Sequence, residues 1–189
     1  MKKAYIFLAT GFEETEAITT ADILCRGGIE TYLVSIYSDT KVIGAHGIEI
    51  EAHKKLSKID FSDADALILP GGQPGSNNLN ECKPLRKALL NHYQLGKLVA
   101  AICAAPLVLG ELEILDGRRA TCYPGFESYL KGAILTKGDT VTDGNIITGR
   151  GPGLTIPFGA EILKSLEGEE KATEVLKGML YNHPSVTTI

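Results

Sequence analysis

Apolar positions along the chain follow two rhythms. Four short runs, Ala4–Ala9, Thr31–Ile36, Ala66–Leu69 and Leu98–Ile102, are mostly or wholly apolar, the pattern of strands buried on both faces of a parallel sheet. The stretches between them carry helical spacing instead. In Glu14–Arg26, Ala17, Ala21, Ile23 and Leu24 recur at near-helical intervals and Gly27-Gly28 supplies the stop, while Pro84–Leu95 predicts a second crossover helix closed by Gly96. Strand, helix and strand in succession predict an α/β fold.

Shorter signals decorate that sheet. Lys41–Gly44 and Ile48–Glu51 flank Ala45-His46-Gly47 as a hairpin; Asp139–Thr142 and Asn145–Thr148 flank Asp143-Gly144, the signal for a type I′ turn. Helices over Leu154–Leu166 and Glu169–Leu180 follow, and Asn182–Ile189 reads as a loose polar tail or a packed extension. With no internal repeat and no low-complexity linker, one domain over residues 1–189 is expected.

Composition narrows the function classes. A net charge of −4, with no Lys/Arg run longer than a pair, argues against a surface that tracks nucleic-acid phosphates. The first apolar run is too short for a secretory or membrane-spanning segment and runs into Glu13-Glu14, so a cytoplasmic protein without a membrane partner is expected. Cys25, Cys82, Cys103 and Cys122 form no CxxC, and His46, His53, His92 and His183 are scattered, so neither a disulfide framework nor a metal site is expected. By spacing, Cys25 belongs to the core side of its helix near Leu24, Cys82 begins a surface helix and Cys122 ends a strand.

Candidate chemistry gathers where the fourth strand ends. In "LVAAICAAPLVL", residues 98–109, Cys103 sits between a strand and a helix, with Ala101 and Ala105 two positions away on each side. A nucleophile elbow needs small residues there so that strand and helix can approach. A thiol at a helix start meets unpaired N–H groups and the positive dipole end, which favour thiolate; equally, Cys103 is buried filling. In "LILPGGQPG", Leu67–Gly75, free amides after a buried strand either cradle an anion or make a plain turn. Both loops belong to the carboxyl edge of the sheet, where Gly72 and the amides following Cys103 can form an oxyanion hole. "ATGFEETE", Ala9–Glu16, brings three carboxylates to the same edge. Glu13 and Glu14 suit the helix dipole, whereas Glu16 lies deeper, where burial beside Cys103 would raise its pKa and let a neutral carboxyl donate to the thiolate. "GRGPG", Gly149–Gly153, lacks dinucleotide spacing and reads as a strand-to-helix turn near the site.

The ordered set "GFEETE", "LPGG", "AAICAAP" and "GRGPG", spread over nearly the whole chain, resembles the ThiJ/PfpI superfamily and specifically its Parkinson-protein (DJ-one) branch. The resemblance implies a flavodoxin-like three-layer sandwich with a mostly parallel sheet, helices on both faces and small antiparallel hairpins. It also implies a homodimer, an elbow nucleophile at Cys103 with Glu16 as its acidic partner, and Gly71, Gly72 and Ala104 at the oxyanion hole. The implied activity is glyoxalase- or deglycase-like: Cys103 attacks a small 2-oxoaldehyde, or its adduct on a glycated protein, to give a hemithioacetal, with no cofactor. Relatives are also assigned redox sensing through oxidation of the cysteine, chaperone action and, in older labels, thiazole monophosphate (thiamine) biosynthesis, so membership alone does not select a function. Two departures bear on the chemistry. Tyr123 stands before Pro124 where many relatives carry histidine, which weakens a Cys–His pair and leaves Tyr123 a possible site residue. Ala104 occupies the position where protease-like relatives carry histidine. An interfacial anion pocket that some relatives line with two arginines is not expected, since this chain offers Arg26 but has His46 at the other position.

Overall fold

The computed structural model describes residues 1–181, and its centre is a seven-stranded sheet in the order β10-β11-β7-β6-β1-β2-β5. The four predicted strands are its middle: β1 (Lys3–Leu8), β2 (Glu30–Ser35), β6 (Ala66–Leu69) and β7 (Leu98–Ile102), all parallel. The edges are β5 (Lys54–Lys55) and a hairpin of β10 (Thr140–Asp143) with β11 (Ile146–Gly149); β11 runs parallel to β7. β3 (Lys41–Ile43) and β4 (Glu49–Glu51) form the separate predicted hairpin. A further parallel pair is β8 (Arg119–Ala120) with β9 (Ile134–Leu135); β8 stops two residues short of Cys122, which the sequence places at a strand's end.

Two apolar layers sandwich this sheet, and the strand period of two sorts residues between them. From β1, Ala4, Ile6 and Leu8 join a cluster with Ala17, Ile23 and Leu24 of α1 (Glu14–Arg26), Phe158 and Ile162 of α5 (Thr155–Glu167) and Val175 of α6 (Glu169–Gly178). Tyr5, Phe7 and Ala9 face Leu79 of α2 (Gly75–Glu81), Leu85 and Leu89 of α3 (Lys83–Gln94) and Leu107 of α4 (Pro106–Glu111). Burial of a side chain such as Phe7, fully covered, contributes about 1.5–3 kcal/mol. The result is the expected flavodoxin-like three-layer arrangement.

Several local expectations are corrected. Asp143 pairs with Ile146, so the turn residues are Gly144 and Asn145, one position later than the sequence signal. Only Gly144, at φ +60°, is left-handed, and a type I′ turn requires both central residues to be so. Tertiary contacts set this register: Asn145 donates to the carbonyls of Tyr93 and Lys97, and Asp143 accepts from Arg118 and the amide of Arg119. Cys25 is exposed, because Ile23 and Leu24 already occupy the core side of α1. Helix α2 went unpredicted, since Ser76, Asn77, Asn78 and Asn80 are poor helix formers; burial of Gly75, Ser76 and Leu79 holds it. The predicted tail, Asn182–Ile189, lies outside the described residues.

Because β1, β6, β7 and β11 are parallel, the loops after Leu8, Leu69, Ile102 and Gly149 emerge on one edge. Four sequence motifs far apart in the chain therefore meet there.

Candidate active site

Cys103 follows β7 directly and adopts φ +65°. This left-handed conformation costs a residue with a Cβ about 1–2 kcal/mol, so the surroundings must impose it. They do so from both sides: the Cys103 N–H donates to Gly149 O at 2.9 Å, and Cys103 O accepts the Tyr123 N–H at 2.8 Å. Ala101 and Ala105 are fully buried, as close packing of strand and helix demands. The helix that follows starts only at Pro106 and has six residues. The amides that reach the sulfur are instead those of Gly72 and Ala104, whose hydrogen bonds favour the thiolate.

Glu16 reaches the sulfur from α1. It is 1% exposed, on the same helix side as Thr20 and Ile23. Its Oε2 accepts the Gly71 N–H at 2.6 Å, and its Oε1 is buried with no hydrogen-bond partner among the described residues. Burial pushes the Glu16 carboxyl up to about 7, against the opposing pull of the Gly71 amide and the Cys103 thiol. The thiol departs from expectation. Burial, followed by the charge of Glu16, pushes Cys103 up to about 12 in spite of the Gly72 and Ala104 amides. Amides alone do not make this thiol acidic in a closed site. The two groups titrate as a pair: one proton leaves near 7, and the second is held until about 12. At neutral pH the carboxyl is therefore near its midpoint, while the sulfur keeps its proton.

Two glycines make this contact possible. A Cβ on Gly71 would lie 2.6 Å from Cys103 Cβ and 2.8 Å from Glu16 Oε2. At Gly72, with φ +84°, it would lie 2.4 Å from the amide nitrogen of Glu13, and left-handed backbone favours glycine there in any case. Gly71 and Gly72 divide the work differently from the expected shared oxyanion hole: the Gly71 N–H is committed to the acid, the Gly72 N–H to the sulfur. Ala104 lies beside Gly72 at the sulfur. Tyr123 is pinned to the elbow through its backbone, with its ring packed near Gly151 and half-exposed.

The neighbouring acids behave differently from a simple dipole-facing pair. Glu14 is buried and accepts from His46 through both the backbone amide, at 2.8 Å, and Nδ1, at 2.7 Å. Those bonds hold the Glu14 carboxyl low despite its burial and raise the imidazole of His46. Glu13 stands 3.9 Å from His46 Nδ1. Glu13, Glu14 and His46 are thus one cluster of potential metal ligands, invisible in the sequence because the hairpin tip lies 32 residues from α1; its bonds are internal ones that dock the β3–β4 hairpin against the start of α1 and the loop before it. Arg26 pairs with Asp22 on the same helix at 2.7 Å.

An elbow cysteine at φ +65°, a buried glutamate and a double-glycine loop thus meet at one edge of the sheet. The sequence profile of the DJ-1/PfpI family matches residues 2–165. The chain belongs to the DJ-1/PfpI family. Protein DJ-1 homolog B of Arabidopsis thaliana is 41% identical over 186 residues, 97% of this chain and 42% of the plant protein, so the chain spans less than half the length of that relative. A Caenorhabditis elegans protein named glutathione-independent glyoxalase DJR-1.2 is 35% identical over 167 residues, covering 87% of this chain and 88% of its own. Among solved structures, a cysteine-to-alanine mutant of a DJ-1 superfamily protein from Salmonella typhimurium superposes with a TM-score of 0.93 at 33% identity, covering 97% of this chain and 100% of that one. Among the described residues no helix is long and apolar enough to cross a membrane.

Proposed function

We propose that this DJ-1/PfpI family member is a cofactor-independent glyoxalase- or deglycase-like enzyme acting on small 2-oxoaldehydes or their adducts on glycated proteins. The observation that carries the reading is the juxtaposition of Cys103 with Glu16, a buried acid whose proton is poised near neutrality. A relative named as a glutathione-independent glyoxalase supports the substrate class.

In this reading, the Glu16 carboxylate takes the thiol proton and leaves Cys103 as thiolate, held by the amides of Gly72 and Ala104. The sulfur adds to the aldehyde carbon, the C=O π pair moves to oxygen, and Glu16 protonates that oxygen to give the hemithioacetal. The Glu16 carboxylate then removes the proton from the same carbon, forming an enediolate, and returns it to the neighbouring carbon. As the hydroxyl proton passes to the second oxygen, a thioester of a 2-hydroxy acid results. Water attacks the thioester carbonyl and the Cys103 thiol leaves, regenerating the pair. The net change is addition of one water to the oxoaldehyde.

The test is turnover of methylglyoxal by wild type and Cys103→Ala, with intact mass after mild peroxide treatment as the second arm. Loss of turnover in Cys103→Ala supports the reading. Full activity in that variant overturns it, as does a selective gain of two oxygens on Cys103 in a wild-type protein without turnover, the outcome a redox sensor would give. A homodimer and a cytoplasmic setting belong to the same proposal. Ile43 and Ile48 on the hairpin are exposed apolar side chains that a second copy would cover. Sedimentation of wild type against Ile48→Asp tests the dimer; unchanged monomeric behaviour of the wild type removes it.

A further inference from the structure

The GRGPG turn contains an arginine that the chemistry at Cys103 leaves unused. Each of the chain's other arginines has a side-chain partner: Arg26 with Asp22, Arg86 with Asn80, and Arg118 and Arg119 with Asp143. Arg150 is held by its backbone, the N–H donating to Asp139 O at 3.0 Å, yet its half-buried guanidinium has no hydrogen-bond or ion-pair partner among the described residues. Guanidinium groups drawn in from solvent are ordinarily paired.

Arg150 lines a solvent-open cleft of about 100 Å³. Lys137 lines the same cleft with an equally unpartnered ammonium, and Thr136 contributes a buried hydroxyl oxygen without a partner. Against these two cations stands one carboxylate, Glu127, whose Oε2 accepts the Gly125 N–H at 2.7 Å. The buried thiol of Cys122 stays neutral, pushed up to about 11 by its burial and by Glu127. Neither Cys103 nor Glu16 is among the lining residues. The cleft nevertheless adjoins the elbow on both flanks: Cys122 precedes the Tyr123 that binds Cys103 O, and Arg150 follows the Gly149 that binds Cys103 N. Leu135 and Pro124 supply an apolar wall.

We propose that this cleft is an anion-binding subsite beside the Cys103 centre, in which Arg150, Lys137 and the Thr136 hydroxyl take the oxyanion of a short-chain organic acid. An unpaired guanidinium and ammonium on one cleft satisfy carboxylate or phosphate oxygens equally well. The apolar wall decides between the two sources, because it offers contact to a carbon tail and nothing to inorganic phosphate. The inference does not rest on the reaction proposed above.

The test is an amide chemical-shift titration of the full chain with propionate and, separately, with inorganic phosphate at low ionic strength. Saturable shifts of the Cys122, Lys137 and Arg150 amides are expected, unchanged in Cys103→Ala. Arg150→Gln and Lys137→Ala should each weaken propionate about tenfold, the worth of a charge-assisted hydrogen bond, while Glu127→Gln tightens it by removing the opposing charge. Lys137 is exposed, so its variant keeps the fold whatever Arg150→Gln does. Absence of saturable shifts, equal affinity in Lys137→Ala, or loss of binding in Cys103→Ala overturns the subsite. Phosphate binding more tightly than propionate overturns the organic-acid assignment.

Discussion

Replacing Glu16 by Gln removes a buried charge while keeping the shape of the side chain and an acceptor for the Gly71 N–H. The carboxyl rises from its ordinary 4.5 to about 7 in the fold, so the folded protein holds this proton more tightly than the unfolded chain does. Between those two values the unfolded state binds fewer protons, and stability falls by about 1.4 kcal/mol per pH unit. Below 4.5 the contribution is intact; above about 7 the loss is complete. From pH 5 to pH 8 the wild type therefore loses about 2.5 kcal/mol that the variant keeps. In a chain of this size that is roughly 5–10 °C of melting temperature. Other titrating groups, including His46, are common to both proteins and cancel in the difference. The thiol of Cys103, raised from 9.0, adds its own loss only at higher pH. Reversible urea unfolding of both proteins at pH 5 and pH 8 measures the effect directly. A stability difference that is the same at the two pH values would refute the burial of an ionising Glu16.

Three further outcomes follow from the same geometry. The rate of Cys103 alkylation by iodoacetamide should rise through an apparent pKa near 7 in the wild type, where the pair sheds its first proton. In Glu16→Gln this step should move up toward the thiol's own range, and a flat wild-type profile from pH 5 to 9 counts against Glu16 as the acceptor of the thiol proton. Gly72→Ala places a Cβ 2.4 Å from the Glu13 nitrogen and 2.5 Å from Gly11 O, and should cost about 3 kcal/mol or prevent folding; an unchanged melting temperature contradicts the close loop contact. Cys103→Gly should be more stable than Cys103→Ala by about 1 kcal/mol, because glycine accepts φ +65° without a Cβ penalty. The reverse order in chemical denaturation rules out strain at the elbow.

Much of this architecture was legible before folding was considered. Apolar runs without alternation located the four central strands, and because such runs need cover on both faces, they also implied helices above and below the sheet. Cys103 between alanine pairs marked the elbow, and the position of Glu16 beyond Glu13 and Glu14 separated it from them. Helix α2 was illegible because its Asn- and Ser-rich sequence opposes helix locally and only burial of Leu79 rewards it. The hairpin turn near Gly144 was misplaced by one residue because Asn145 and Asp143 answer to partners on α3 and β8.

Taken alone, the sequence determined the period of each element and the residue types available at the carboxyl edge, since local patterning and backbone chemistry depend only on near neighbours. Pairing was decided by the tertiary structure. It set Glu16 against Cys103 and His46 against Glu14, and left Arg150 without an ion-pair partner among the described residues. Desolvation belongs to the same category: the amides that favour a thiolate can be anticipated from a loop, but the burial that outweighs them at Cys103 exists only once both layers close over the sheet.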